Sequence, residues 1–239
     1  MNGRLIGVGV GPGDPELLTV KGVRALRRAD TVFVPVGDTG ETGRAEAVVL
    51  AYAQPTRVRR LTFALAGDAS EREASWDRAG RAVAEVIAAG KVAAFATLGD
   101  PSVYSTFAYL VATVRELAGD PPVEVVPGVT AMQDLAARSG TVLVEGHERL
   151  ALLPLASGTG PLVDALASFD TVVCYKGGRH LPEMVEALRA TGRLGTALYG
   201  ARLGLPGETI QPAKLQDRPG PYLSTVIALP ERPARGSKL

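Results

Sequence analysis

Three times along this chain a short apolar run ends in a turn of glycine and proline, then gives way to a helix-patterned stretch. The junctions read GVGVGPGDPE at residues 7–16, TLGDPSVYS at 97–105 and VVPGVTAM at 125–132. A chain that keeps switching from strand to helix across so few residues is confined to alternating strand–helix units, the signature of an α/β fold. The rhythm runs on through the sequence. Residues 4–10, 31–36, 92–97 and 123–126 read as strands, and 19–29, 44–52, 70–89, 105–118 and 130–139 as helices. Thr19 is placed to cap its helix, with Val20, Val23 and Leu26 on one face, and Gly90 closes the helix before it. In the second half, strands at 149–155 and 171–175 alternate with helices at 160–168 and 181–190. Strands near 196–199 and 223–229 follow with no helix pattern between them, so antiparallel pairing is expected there. The pair Pro121-Pro122 marks the expected boundary between two domains, 1–120 and 121–239.

Composition narrows the function classes. Hydrophobic residues make up 46 % of the 239, charged residues 21 %, so a packed core is within reach. The formal net charge of +1 gives no general pull toward nucleic acid or a membrane surface. The single cysteine, Cys174, excludes an internal disulfide framework and a cysteine-rich zinc site, and its apolar strand makes it a packing residue. No segment reaches the roughly 20 apolar residues that span a bilayer. The expected location is the cytoplasm, with residues 231–239 a loose polar tail whose final Ser-Lys-Leu is a chance match to a peroxisomal address.

Each glycine turn has a structural and a functional reading. The first lacks the third glycine of a dinucleotide fingerprint, because Pro12 stands there, and no Gly-Lys-Ser/Thr follows to make a phosphate loop. It is either a tight turn or a place where backbone N–H groups approach a ligand. In the second, Gly99 opens backbone shapes closed to other residues, Asp100 accepts hydrogen bonds from nearby N–H groups, and Pro101 fixes φ. Asp100 is expected to cap the helix at 105–118, whether or not it also stiffens a ligand loop. In the third, Thr130 reads as a cap and Ala131 as a close-packing residue. Three such turns after three strands point to one shared ligand crevice.

The order GVGVGPGDPELLTVKG, TLGDPSVYSTFAYL, VEVVPGVTAM resembles the tetrapyrrole methylase family over essentially the whole chain, most of all its precorrin-2 C20-methylating branch. The segment at residues 31–35, TVFVP, fits the same branch. The resemblance implies two α/β domains with mixed sheets, S-adenosylmethionine bound in a cleft between them, a tetrapyrrole substrate and a homodimer. It places Pro12, Leu98, Gly99, Asp100, Val103, Thr130 and Ala131 against the cofactor, joined by Tyr175, Lys176 and Ala201 from the second domain. Lys176 departs from the methionine common at its position, so Tyr175 or the Cys174 backbone is the alternative contact.

The implied reaction is methyl transfer to an electron-rich meso carbon, which needs positioning and exclusion of water more than acid–base groups. The residues name no catalytic base. A carboxylate-rich substrate calls for cations, and the candidates are Arg44 on the loop after the second strand, Arg179 and Arg202, with Tyr104 to stack on the macrocycle. Each arginine has a plain surface reading, and Tyr104 a packing one. Neither His147 nor His180 sits in a motif; His147 could pair with Glu148 and would bind metal only with ligands from elsewhere in the chain, so no metal site is expected. Methylation of a cobalt-loaded substrate or at another carbon, a silent tetrapyrrole carrier, and a nicotinamide-dependent dehydrogenase using Asp38 are the rival readings.

Overall fold

The computed structural model describes residues 3–36, 43–64, 68–232 and 234. It divides into two compact units, Met1–Thr130 and Ala131–Leu239. In the first, β1 (Arg4–Gly9), β2 (Thr31–Val36), β3 (Val58–Thr62), β4 (Val92–Thr97) and β5 (Val123–Val126) alternate with α1 (Val20–Arg28), α2 (Arg44–Leu50), α3 (Ala69–Ala88) and α4 (Phe107–Ala118). The sheet order is β3-β2-β4-β1-β5 and every pairing is parallel. The boundary expected at Pro121-Pro122 therefore falls later. β5 lies beyond that pair and is hydrogen-bonded to β1 of the first sheet.

Strand alternation sorts the core into two layers. Ile6, Val8, Val32, Val34, Ala94 and Ala96 pack with Leu26, Val48 and Val49 of α1 and α2. Leu5, Phe33, Ala93 and Phe95 pack with Val83, Phe107 and Leu110 of α3 and α4. Near-continuous apolar strands are what a parallel sheet covered on both faces demands. Thr19 Oγ1 accepts from Gly22 N at 3.0 Å, the expected cap. Val20, however, is 68 % exposed. It sits about 240° round the helix from Leu26, so it cannot share Leu26's face. The strand β3 has no apolar alternation in sequence because it is a sheet edge. Arg60 there reaches buried Glu46 at 3.0 Å, and Arg59 lies over the Phe33 ring.

The second unit contains α5 (Ala131–Ser139), β6 (Leu150–Pro154), α6 (Leu162–Ser168), β7 (Thr171–Tyr175), α7 (Leu181–Ala190), β8 (Leu198–Ala201), β9 (Thr209–Pro212) and β10 (Ser224–Ala228). Its order is β6-β7-β10-β8-β9, with β6 and β7 parallel and β10 antiparallel to both neighbours. The mixed character expected of both sheets thus belongs to this one. Antiparallel pairing arrives where expected, although β9 between the last two expected strands carries no clear sequence signal. One face holds α6 and α7 over Val172, Cys174, Tyr199, Ala201 and Val226. Helix α5 is fixed to the opposite face, where Leu135 lies against Gly200 so closely that a Cβ there would stand 2.8 Å from it.

Residues 231–239 are not loose from their start. Arg232 donates to the Glu148 carboxylate at 2.6 Å and to the Val142 carbonyl at 3.0 Å. The Glu148 side chain is fully buried, and Arg232 holds its carboxyl below the usual range. Glu148 therefore serves this ion pair, while His147 beside it is exposed. Replacing Arg232 with Ala strands a buried carboxylate. Allowing for Arg232's partial exposure, the loss is about 2 kcal/mol in denaturant unfolding at neutral pH. Because the Glu148 pKa is depressed in the fold, this contribution exists above the unfolded carboxylate pKa and fades as pH falls through the folded one. The gap between variant and parent should therefore narrow under acid.

Candidate functional site

Strands β1 and β4 are neighbours, yet α1 leaves β1 for one face of the sheet and α4 leaves β4 for the other. Diverging connections open a crevice at the carboxyl ends of the two strands, where open α/β sheets bind ligands. The turns of that crevice meet backbone to backbone. Gly99 N donates to Gly11 O at 2.7 Å and Val10 N to Thr97 O at 2.9 Å. The turn after β5 joins through Asp100, whose carboxylate accepts from Ser102 N at 2.7 Å and from Gly128 N at 2.9 Å. A Cβ on Gly128 would stand 2.2 Å from the Gly99 carbonyl oxygen, and one on Gly9 2.6 Å from Gly128 N. Only glycine permits this approach. Gly99 adopts φ +70°, and the position its side chain would take is clear of neighbouring atoms.

Asp100 is thus a tie between turns, and the helix-capping reading is corrected. Helix α4 begins at Phe107, two residues later than expected, because the Ser105 hydroxyl takes the Phe107 N–H at 3.1 Å and bonds Thr97 Oγ1 at 2.9 Å. Around these turns Pro12 and Thr130 are buried, Leu98 and Val103 half-buried, and Tyr104 exposed; Ala131 opens α5. Arg44, expected on a loop, is the half-buried first residue of α2. Asp38 lies outside the described residues, as does the terminal Ser237-Lys238-Leu239.

In the second unit, Tyr175, Thr225 and Gly200 stand in one row across β7, β10 and β8. The Tyr175 hydroxyl accepts from Met132 N at 2.9 Å and so fixes the start of α5. Ala201 is buried at the end of β8. The Arg179 guanidinium donates to the Ala156 carbonyl, which ties one of the three arginine candidates to the fold. His180 Nδ1 lies 4.0 Å from Glu183. Among the described residues no group of three or more His, Cys, Asp or Glu is placed to hold a metal ion. Three described residues other than glycine adopt left-handed backbone: Tyr104 (φ 48°), Lys176 (φ 60°) and Arg202 (φ 53°). Lys176 and Arg202 directly follow β7 and β8, and Tyr104 lies in the segment between β4 and α4. Such strain gathers at functional sites. No residue type marks it in the sequence, since the usual sign of positive φ is a glycine. Gly9 and Gly128 lie within the glycine–proline turns, but their closeness to each other depends on how the strands pair.

A backbone-built crevice on a parallel sheet, followed in the chain by a mixed α/β unit, defines a class. The chain belongs to the tetrapyrrole (corrin/porphyrin) methylases, whose family model matches residues 4–218. It is 37 % identical over 235 residues to the precorrin-2 C(20)-methyltransferase of Sinorhizobium sp, covering 94 % of each chain. To the cobalt-precorrin-2 C(20)-methyltransferase of Salmonella typhimurium it is 33 % identical over 232 residues, 95 % of this chain and 96 % of that protein. Among solved structures it resembles the uroporphyrin-III C-methyltransferase of Thermus thermophilus complexed with S-adenyl homocysteine. The TM-score is 0.65 at 26 % identity, over 94 % of this chain and 97 % of that one.

Two outcomes follow from the packing. Gly128→Ala forces a methyl against the Gly99 carbonyl, and overpacking of this kind costs about 2 kcal/mol, readable as a lower unfolding midpoint. Burial pushes the Cys174 thiol up to about 12. The native protein should therefore resist iodoacetamide at pH 9 and react once unfolded, which mass spectrometry would record.

Proposed function

We propose that this chain transfers a methyl group from S-adenosylmethionine to C20 of precorrin-2, giving precorrin-3A on the way to cobalamin. The observation that carries the reading is the three-turn junction built on Gly9, Gly99, Asp100 and Gly128, in a chain akin over nearly its full length to a precorrin-2 C(20)-methyltransferase. Family membership displaces the nicotinamide reading, and Pro12 stands where a dinucleotide turn would need glycine.

The residues present fit the methyl donor. The clear space before Gly99 admits a ligand against the backbone, and Pro12, Leu98, Val103, Thr130 and Ala131 supply apolar walls and backbone groups around it. When bound, the donor supplies an electrophilic methyl on a sulfonium. The chain's own part is to hold the turns rigid and dry, so that the acceptor carbon meets the methyl in line. Asp100 is committed to two N–H groups, and this makes it a positioning residue rather than a base. For the acidic arms of the substrate, Arg44, Arg179 and Arg202 are the arginine candidates, and Tyr104 offers an exposed ring. We read the enzyme as a cytoplasmic homodimer.

Incubation with methyl-labelled S-adenosylmethionine and either precorrin-2 or cobalt-precorrin-2, followed by NMR, tests the reaction. Label at C20 of precorrin-2 is the expected result. Faster transfer to the cobalt form would assign the chain to cobalt-first chemistry, as in the Salmonella relative; label elsewhere would overturn the C20 reading. Asp100→Ala removes a charged acceptor from two N–H groups, so the donor should bind about tenfold more weakly by calorimetry.

A further inference from the structure

Tyr104 is the one residue in the three crevice turns, glycine aside, that adopts left-handed backbone, at φ 48°. That conformation is disfavoured for any residue with a side chain and persists only where the surroundings impose it. At Tyr104 the neighbouring constraint is a pair of hydroxyls. Ser105 Oγ lies 2.9 Å from Thr97 Oγ1, at the end of β4, and accepts the Phe107 N–H at 3.1 Å. Thr97 is 5 % exposed, and its carbonyl takes the Val10 N–H at 2.9 Å. This clasp is rooted in the sheet at one end and in the start of α4 at the other, with Tyr104 directly beside it.

The rest of the turn is held by other bonds. Gly99 N donates to Gly11 O, Asp100 accepts from Ser102 N and Gly128 N, and Val103 N donates to Asp100 O at 3.2 Å. Losing a hydroxyl at 97 or 105 leaves all of these in place and releases Tyr104 on one side. Glycine would adopt φ 48° freely, yet the chain sets an aromatic ring there, on a residue 40 % exposed. Such a ring offers a flat apolar face, and flat conjugated ligands stack on faces of that kind. Two groups in the proposed reaction are flat, the donor's adenine and the acceptor's macrocycle. Adenine is small enough to be enclosed by buried groups. The macrocycle is broad and must lie across open surface, and exposed surface is what Tyr104 presents.

We propose that Thr97 and Ser105 are positioning residues for the methyl acceptor: their hydroxyl clasp holds the Tyr104 ring as a platform on which the tetrapyrrole stacks. This rests on the methyltransferase reading above and deepens it. The turn then has two halves with separate duties. The half around Gly99 and Asp100, tied to the other turns, serves the donor, and the half from Tyr104 to Ser105, tied to the end of β4, serves the acceptor.

The test is steady-state kinetics on the full chain with precorrin-2, beside calorimetry with S-adenosylhomocysteine. Tyr104→Ala should raise KM for precorrin-2 about tenfold, the upper range for one aromatic contact, and Tyr104→Phe should stay within about twofold. Thr97→Val removes a hydroxyl at nearly constant shape. It should raise KM about fivefold, the value of one hydrogen bond that favours the competent conformer, and leave S-adenosylhomocysteine affinity within about twofold. Thr97→Ser keeps the hydroxyl and should return KM to within about twofold of the parent. Ser105→Ala should act in the same direction as Thr97→Val, and it carries the test if Thr97→Val does not fold. In a Tyr104→Ala background Thr97→Val should add less than about twofold, which a purely structural role would not produce. A full fivefold in that background would show that the clasp acts through something else and overturn the proposal. Weaker S-adenosylhomocysteine binding with unchanged KM would assign the ring to adenine and overturn it, as would no change in either. Failure of the parent to methylate precorrin-2 is a separate result, and it would strike the underlying reading and the proposal with it.

Discussion

One carboxylate organises the first unit's working end. Asp100 takes the N–H of Ser102 within its own turn and the N–H of Gly128 from the turn after β5. Those two bonds convert separate connections into a single surface. The glycines make the arrangement possible, because Gly9 and Gly128 approach each other and the Gly99 carbonyl within distances no side chain would allow. A charged acceptor serving two amides is stronger than a neutral one, and the parallel sheet beneath holds the strand ends that deliver the turns. Binding surfaces of this kind owe their shape to backbone, so their precision survives wide change in the side chains around them.

The second unit solves a different problem with different means. Its helix α5 is fixed at one point by Met132 N–H to the Tyr175 hydroxyl and at another by Leu135 on Gly200. Buried Glu148 is compensated by an arginine 84 positions away. Long-range polar ties of this sort define one arrangement where apolar packing alone would tolerate several. The strained backbone at Lys176 and Arg202 is held by the same sheet.

Much of this was legible in the sequence because its signals are local. The junctions at 7–16, 97–105 and 125–132 announce strand ends by glycine and proline, and α7 and β7 emerge from periodicity with the expected bounds. What escaped is set by partners distant in the chain. The strand β3 presents Arg59 and Arg60 because it is an edge, and being an edge is a property of the assembled sheet. The boundary after Thr130 depends on β5 finding β1, and the Pro121-Pro122 pair says nothing of that. Positive φ at Tyr104, Lys176 and Arg202 is invisible for the same reason, since tertiary context imposes it against each residue's own preference. The order of motifs conveyed the family.

The placement of β10 bears on how the protein is made. It is the last of the described strands in chain order, yet it stands in the middle of its sheet, between β7 and β8. The first sheet can close once β5 has left the ribosome, whereas the second stays split into two incomplete halves until β10 has emerged. Through that interval β7 and β8 offer unpaired edges to any neighbouring chain. Synthesis rate over the final stretch, and chaperones that shield strand edges, thus become determinants of yield for this protein in a way that its equilibrium stability would not reveal.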